Sequence, residues 1–238
     1  MSDDTRAAAA ERIRRIARAM GDVHEQLVFI GASVLPLLAE VDHRLAAPRT
    51  TKDVDAVAAT TSYLARAKLE ESLRARGFRH QPVGHAGRWL SPSGEIFDLS
   101  FAGDHLGGTG SSIDAIAIAS AKMLPGDPPI RQLSGAGFLI MKSAAFGDRG
   151  RSAPHESKDL ADIAVLLIGR PELTLEVESA DAEIQRAVGR AAAQLLEVRE
   201  LAPALRGHFS DRRPIPPDTP DELTVEAIGV LERLRAGR

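Results

Sequence analysis

Four consecutive apolar residues, Leu27-Val28-Phe29-Ile30, run into Gly31-Ala32-Ser33, and a second apolar stretch then opens with Asp53-Val54-Asp55. This order of features constrains the fold more than any other in the chain. The apolar run has the length and content of a buried strand. Gly31 permits a sharp turn and the close approach of a ligand. Ser33 reads as the N-cap of a short helix, with Pro36 tolerable in its first turn. A helix start after a glycine turn presents amide groups that suit a phosphate, here from Gly31, Ala32 and Ser33. Asp53 and Asp55 stand two apart on a strand, so both carboxylates leave one face. Paired hard carboxylates suit Mg²⁺, which completes its shell with water and substrate phosphates.

Asp98 belongs with them. Residues 95–101 alternate cleanly, with Phe97, Leu99 and Phe101 on one face and Ile96, Asp98 and Ser100 on the other. If this strand lies beside the one opened by Asp53, the three carboxylates share a face. If it is an edge strand, Asp98 is simply solvated.

The remaining chain divides by its punctuation. Residues 7–20 form an Ala- and Arg-rich helix with Ile13, Ile16, Ala17 and Met20 on one stripe. Residues 62–76 read as a helix with Leu64, Ala67, Leu69 and Leu73 as its apolar side, stopped by Gly77. Residues 78–83 and 88–91 read as short strands, and 104–111 as a Gly-rich loop. Residues 113–119 fit either strand or helix. The cluster Pro125-Gly126-Asp127-Pro128-Pro129 marks a boundary. Beyond it the pattern is helical over 137–148, 156–168, 181–201 and 221–234, with a Pro-rich linker over 214–220. The expected class is therefore α+β: a mixed-sheet lobe over 1–125 and a helical lobe over 126–238, sharing a cleft.

Two helical segments carry further chemistry. Lys142 interrupts the apolar run from Phe138 to Phe146, either snorkelling to water or entering the cleft toward a phosphate. Arg149 follows two turns later near the same face. In Lys158-Asp159-Leu160-Ala161-Asp162-Ile163 the two aspartates are one turn apart.

In this order, the glycine turn, the Asp-x-Asp pair and the later lone Asp98 resemble the nucleotidyltransferase superfamily that includes DNA polymerase β. The turn is Gly-Ala-Ser where many members have Gly-Ser or Gly-Gly-Ser, and the loop before Asp53 is longer than in compact members. Lys142, Phe146 and Arg149, followed by Lys158-Asp159, Asp162 and Ile163, are similar to the AbiEii class of toxins from bacterial toxin–antitoxin systems. That resemblance covers about residues 27–167. It implies a polymerase-β-like fold, two Mg²⁺ ions, an NTP donor and a tRNA 3′ end as acceptor, with a cognate antitoxin as partner. It assigns the triphosphate to Gly31 and Ser33 and the metal to Asp53 and Asp55, with Asp98 as third ligand. It places Lys142 on the phosphates and gives Asp159 the task of orienting Lys142 or the nucleotide. On this reading Asp159→Ala abolishes transfer with the fold intact.

Composition sets the outer limits. The chain has 238 residues, a hydrophobic fraction of 44%, a charged fraction of 26% and a net charge of −3, ordinary for a globular protein. Aromatics are 4%, so the core rests on aliphatic residues. The absence of cysteine excludes disulfides and thiolate zinc sites and fits a reducing cytoplasm. No apolar run is long enough to span a bilayer. The seven histidines lack metal spacing, and each reads as surface or loop, with His105 beside Gly107-Gly108 the one of note. A nucleic-acid acceptor would need a local basic path, for which Arg49, Lys52, Arg149 and Arg151, and then Arg66, Lys68, Arg74 and Arg76, are candidates. Transfer to a small molecule such as an aminoglycoside, or to a protein side chain, is the competing enzyme reading. A catalytically silent fold that binds a nucleotide or a protein is the third.

Overall fold

The structure is a computed structural model that describes residues 3–40, 44–45, 51–60, 62–81, 87–102, 111–210 and 218–237. Its class is α+β. Among the described residues, a mixed sheet of seven strands has the order β3-β4-β5-β2-β1-β7-β6. The strands are β1 (Leu27–Ile30), β2 (Asp53–Ala58), β3 (Arg79–His80), β4 (Arg88–Leu90), β5 (Ile96–Phe101), β6 (Lys122–Leu124) and β7 (Ile130–Gln132). β2 runs parallel to β5 and β1 parallel to β7, and the other neighbours are antiparallel.

The helices are α1 (Asp3–Met20), α2 (Leu35–Leu38), α3 (Tyr63–Ala75), α4 (Ser111–Ala119), α5 (Gly135–Arg149), α6 (Lys158–Gly169), α7 (Leu173–Glu178), α8 (Ala182–Leu196), α9 (Leu201–Ser210) and α10 (Thr219–Ala236). The α1 stripe of Ile13, Ile16, Ala17 and Met20 is fully buried, as its spacing requires. α5 packs against α4, α6 and α8, and α10 closes over α8 and α9.

Several expectations change. Ser33 does not cap a helix: α2 is a single turn whose N-cap position is Val34, without a side-chain cap. Leu64 and Ala67 of α3 are exposed, and only Leu69 and Leu73 of that helix are buried. Residues 111–119 are helical. Residues 122–132 form a hairpin, and its second strand pairs with β1, so the sheet runs past residue 125. The expected helix over 181–201 ends at Leu196, and a separate α9 begins at Leu201 with Pro203 in its first turn. His24 is buried, its Nδ1 lying 2.5 Å from the Gly21 carbonyl oxygen. Residues 103–110, including His105, residues 41–43 and 46–50, including Arg49, and residues 211–217, with the first part of the expected 214–220 linker, lie outside the described residues, while Thr219 and Pro220 open α10.

Two bonds tie the sheet to the helical part close to the glycine turn. The Glu40 amide donates to the Gly169 carbonyl at the end of α6 (2.5 Å). The Arg170 guanidinium donates to the Leu38 carbonyl (2.8 Å). They fix α6 relative to the turn after β1, so the residues at its other end are held in a set place.

Candidate active site

β2 is central, flanked by β1 and β5, and its register builds the site. Ile30 pairs with Asp55, and Asp55 pairs with Asp98 across the parallel β2–β5 ladder. Residues paired across a sheet project to the same face, as do residues two apart on a strand. Asp53, Asp55 and Asp98 therefore share one face, at the end where β1 enters its turn. Val54, Phe97 and Leu99 point the other way and are buried. Because the side-chain period is two, the burial of these apolar residues fixes the carboxylates outward.

The glycine turn lies against this face. Gly31 has φ +71°, the left-handed region that favours glycine. A methyl group on its α-carbon would come within 2.9 Å of the Asp55 carboxyl carbon. The Ser33 hydroxyl donates back to the Ile30 carbonyl (3.0 Å), which tightens the turn from inside. Among the described residues no backbone hydrogen bond engages the amides of Ala32 and Ser33. The turn thus keeps two donors beside the carboxylates, although the helix behind it is too short to add a substantial dipole. Gly31→Ala is expected to lower stability by about 1–2 kcal/mol from backbone strain alone. It should also push the Asp55 carboxylate aside. A urea titration checks the first effect and divalent-ion binding the second.

Asp53 is held by its own approach segment. Arg12 of α1 donates to the Thr51 carbonyl (2.7 Å) and to that of Lys52, and the Thr51 hydroxyl donates to the Asp53 carboxylate. Burial alone would raise the Asp53 pKa. The Thr51 hydroxyl, the residue's own backbone amide and the charges of Arg88 and Arg12 outweigh that and hold it below the usual carboxylate value.

Arg88, which the sequence reading passed over, sits on the same face. It pairs with Asp98 across β4 and β5, and its guanidinium forks onto that carboxylate, Nε to Oδ1 at 2.8 Å and Nη2 to Oδ2 at 2.7 Å. Nη2 also lies 3.5 Å from Asp53 Oδ2. The Asp98 hydrogen bonds raise the Arg88 pKa, burial opposes this, and the charges of Asp98, Asp53 and Asp55 add to it. Asp98 was expected as a third metal ligand. In this arrangement both its oxygens are taken by Arg88.

α5 and α6 bring a second cluster. Ser134 caps α5 by accepting from the Gly137 amide, and Ser157 caps α6 by accepting from the Leu160 amide. The α6 cap places Asp159 in the first turn, where the helix dipole favours anions, and Asp162 follows about one turn later. Lys142 is buried and its ammonium lies between them, 2.9 Å from Asp159 Oδ1 and 2.8 Å from Asp162 Oδ2. Asp159 also accepts from Arg149, at 2.8 Å from Nε and 3.1 Å from Nη2. Burial would raise the Asp159 pKa, but the Arg149 hydrogen bonds and the Lys142 charge bring it below its ordinary value.

Asp159 thus bonds Lys142, and neither reading of Lys142 matches its position. It neither snorkels nor points free into a cleft. The Arg149 side chain is 62% exposed, so Arg149, not Lys142, is the cation of this cluster open to a ligand. The Arg149 pKa is raised by the Asp159 hydrogen bond, against burial, and then by the charges of Asp159, Asp148 and Asp55. Asp55 acts on both Arg88 and Arg149, so the sheet face and the helical cluster share one electrostatic neighbourhood.

The proposed basic path is partly occupied. Arg66 lies over the Phe101 ring at 4.7 Å and Arg74 over Trp89 at 5.2 Å, with Arg74 also paired to Glu70 at 2.9 Å. Arg76 pairs with Asp22. Lys52 and Arg151 are exposed.

Among the described residues no three acidic or imidazole side chains form a ready cage for an ion. Asp53 and Asp55, with hard carboxylate oxygens on one face, fit an ion held by two protein carboxylates and completed by water and phosphate oxygens. That is how Mg²⁺ is commonly bound. No helix among the described residues is long and apolar enough to cross a membrane. In comparisons with known proteins, no family model, no curated protein and no solved structure matches the chain.

Proposed function

We propose that this chain is a Mg²⁺-dependent nucleotidyltransferase of polymerase-β-like architecture. In this reading it transfers NMP from an NTP to an RNA acceptor, a tRNA 3′ end, and acts in the cytoplasm as a growth-inhibiting toxin restrained by an antitoxin. The observation that carries the chemistry is the register that aligns Ile30, Asp55 and Asp98 and sets the glycine turn against Asp55.

The amides of Ala32 and Ser33 hold the donor's phosphates, and Arg149 neutralises them from the helical side. Asp53 and Asp55 hold Mg²⁺, which when bound neutralises charge on the transferring phosphoryl group. The acceptor hydroxyl attacks the α-phosphorus and the bond to the bridging oxygen breaks. Pyrophosphate leaves, and the hydroxyl proton goes to solvent. Lys142 holds Asp159, and Asp159 holds Arg149 in place.

Arg74 and Arg76 are engaged by Glu70 and Asp22, which weakens that part of the RNA path and lends support to the competing acceptor, a small hydroxylated molecule or a protein side chain. One experiment separates the two. Purified protein is incubated with Mg²⁺, each labelled NTP and total tRNA. A labelled RNA band is expected, and expression in bacteria should slow growth unless Asp53→Ala is present. Label on protein or on a small acceptor alone would remove RNA and the toxin role but keep the transferase. No label and no bound NTP would leave only the silent fold.

A further inference from the structure

Among the described residues, Arg88 is a cation on the carboxylate face that the proposed chemistry leaves without a task, as it does Asp98. The position of Arg88 is fixed twice. Trp89, the next residue on β4, is 1% exposed and pairs with Phe97 of β5, so a one-residue slip of β4 would bring the indole into solvent. The same register sets Arg88 opposite Asp98, where Nε and Nη2 form a planar two-point pair with both carboxylate oxygens. Such a fork is the strong form of a charge-assisted hydrogen bond. The Asp98 side chain is 8% exposed and the Arg88 side chain 26%, so the buried partner anchors the more open one.

Nη2 leans toward Asp53, and no group among the described residues accepts from Nη1. The guanidinium therefore spans from Asp98 toward Asp53. A divalent ion that used Asp98 would have to break the fork and leave a buried carboxylate face rearranged.

We infer that Arg88 is the fixed second cation of this site. It stands where a second divalent ion would need Asp98, and its Nη1 receives an anionic oxygen of the substrate's phosphates. Asp98 is then the residue that positions Arg88, not a metal ligand. The site binds one divalent ion, at Asp53 and Asp55. The identity of the phosphate ligand rests on the nucleotidyltransferase reading, whereas the number of ions does not.

The test is a Mn²⁺ titration of the full chain, with free Mn²⁺ followed by electron paramagnetic resonance, beside NTP binding measured with a non-hydrolysable analogue. The wild type should bind a single ion, lost in Asp55→Asn. Arg88→Met frees Asp98 and should take up a further ion, or bind Mn²⁺ at least about tenfold more tightly, while NTP affinity falls about tenfold. Arg88→Lys keeps the charge without the fork and should fall between. Asp98→Asn should weaken NTP binding without lowering the number of ions. Two ions in the wild type, one of them lost in Asp98→Asn, would overturn the assignment. So would an Arg88→Met protein, folded by circular dichroism, with wild-type Mn²⁺ and NTP binding. The expected ion counts with no NTP binding by the wild type would sustain the cation assignment and sink the nucleotidyltransferase reading.

Discussion

Lys142→Met is expected to cost about 3–5 kcal/mol of stability, the range for breaking a buried ion pair by removing one partner. The methionine fills much the same volume beside Phe138, so lost packing contributes little. What remains is electrostatic. Asp159 and Asp162, at 5% and 2% side-chain exposure, lose the ammonium that lies between them. Arg149 still holds Asp159. Asp162→Asn in the Lys142→Met background removes one of the two buried charges and should recover part of the loss. The same geometry revises what Asp159→Ala reports. It was expected to leave the fold intact, but it strips a buried ammonium and a guanidinium of a shared partner, so a fall in stability should accompany any loss of activity.

The pH dependence follows from the direction of the Asp159 shift. Its folded pKa lies below its ordinary value because Arg149 and Lys142 outweigh burial. A depressed carboxylate contributes stability that is present above its unfolded pKa, about 3.9, and is lost as pH falls through the folded value. Without Lys142 one of the charges that lower the Asp159 pKa is gone, so less of this contribution remains to be lost. The stability gap between wild type and Lys142→Met should therefore narrow as pH is lowered below about 4, toward the folded value of Asp159, as seen in urea midpoints. A gap that stays constant over that range would show that the lysine acts through packing alone.

These consequences were only partly legible in the sequence. The β1 strand, the glycine turn and the carboxylates of β2 were readable because each has a local cause: an apolar run, a left-handed glycine, a period of two. The alternation of β5 likewise gave the face of Asp98. Arg88 was not readable, because its partner is set by the register of β4 on β5, and a three-residue strand has too few side chains to show a period. The signal available was Trp89, whose burial forces its neighbour to the opposite face. Lys142 failed for a related reason. A lysine in an apolar helix is ambiguous until the facing helix is known, and the two aspartates that settle it lie on α6. The hairpin of β6 and β7 was masked by its own turn, since proline and glycine between two three-residue strands look like a domain boundary.

Asp55→Asn is expected to lower NMP transfer about a thousandfold while the fold survives. The substitution keeps the side chain's shape and removes its charge. Asp55 is only half-buried, so a large stability loss has no source there. Its position explains the size of the effect. It pairs with Ile30 on one side and Asp98 on the other, lies against Gly31, and its charge acts on both Arg88 and Arg149. On the proposed chemistry, neutralising it removes a ligand of the divalent ion and loosens the hold on Arg88 and Arg149, the two cations assigned to the phosphates. Initial rates with labelled NTP measure the loss, and the Mn²⁺ titration shows whether the ion has gone. Ser100→Ala, two residues beyond Asp98 on the same face of β5, carries no charge and should leave the rate within about twofold. Transfer by Asp55→Asn at the wild-type rate would remove this face from the chemistry and, with it, the reading of the glycine turn as a phosphate site.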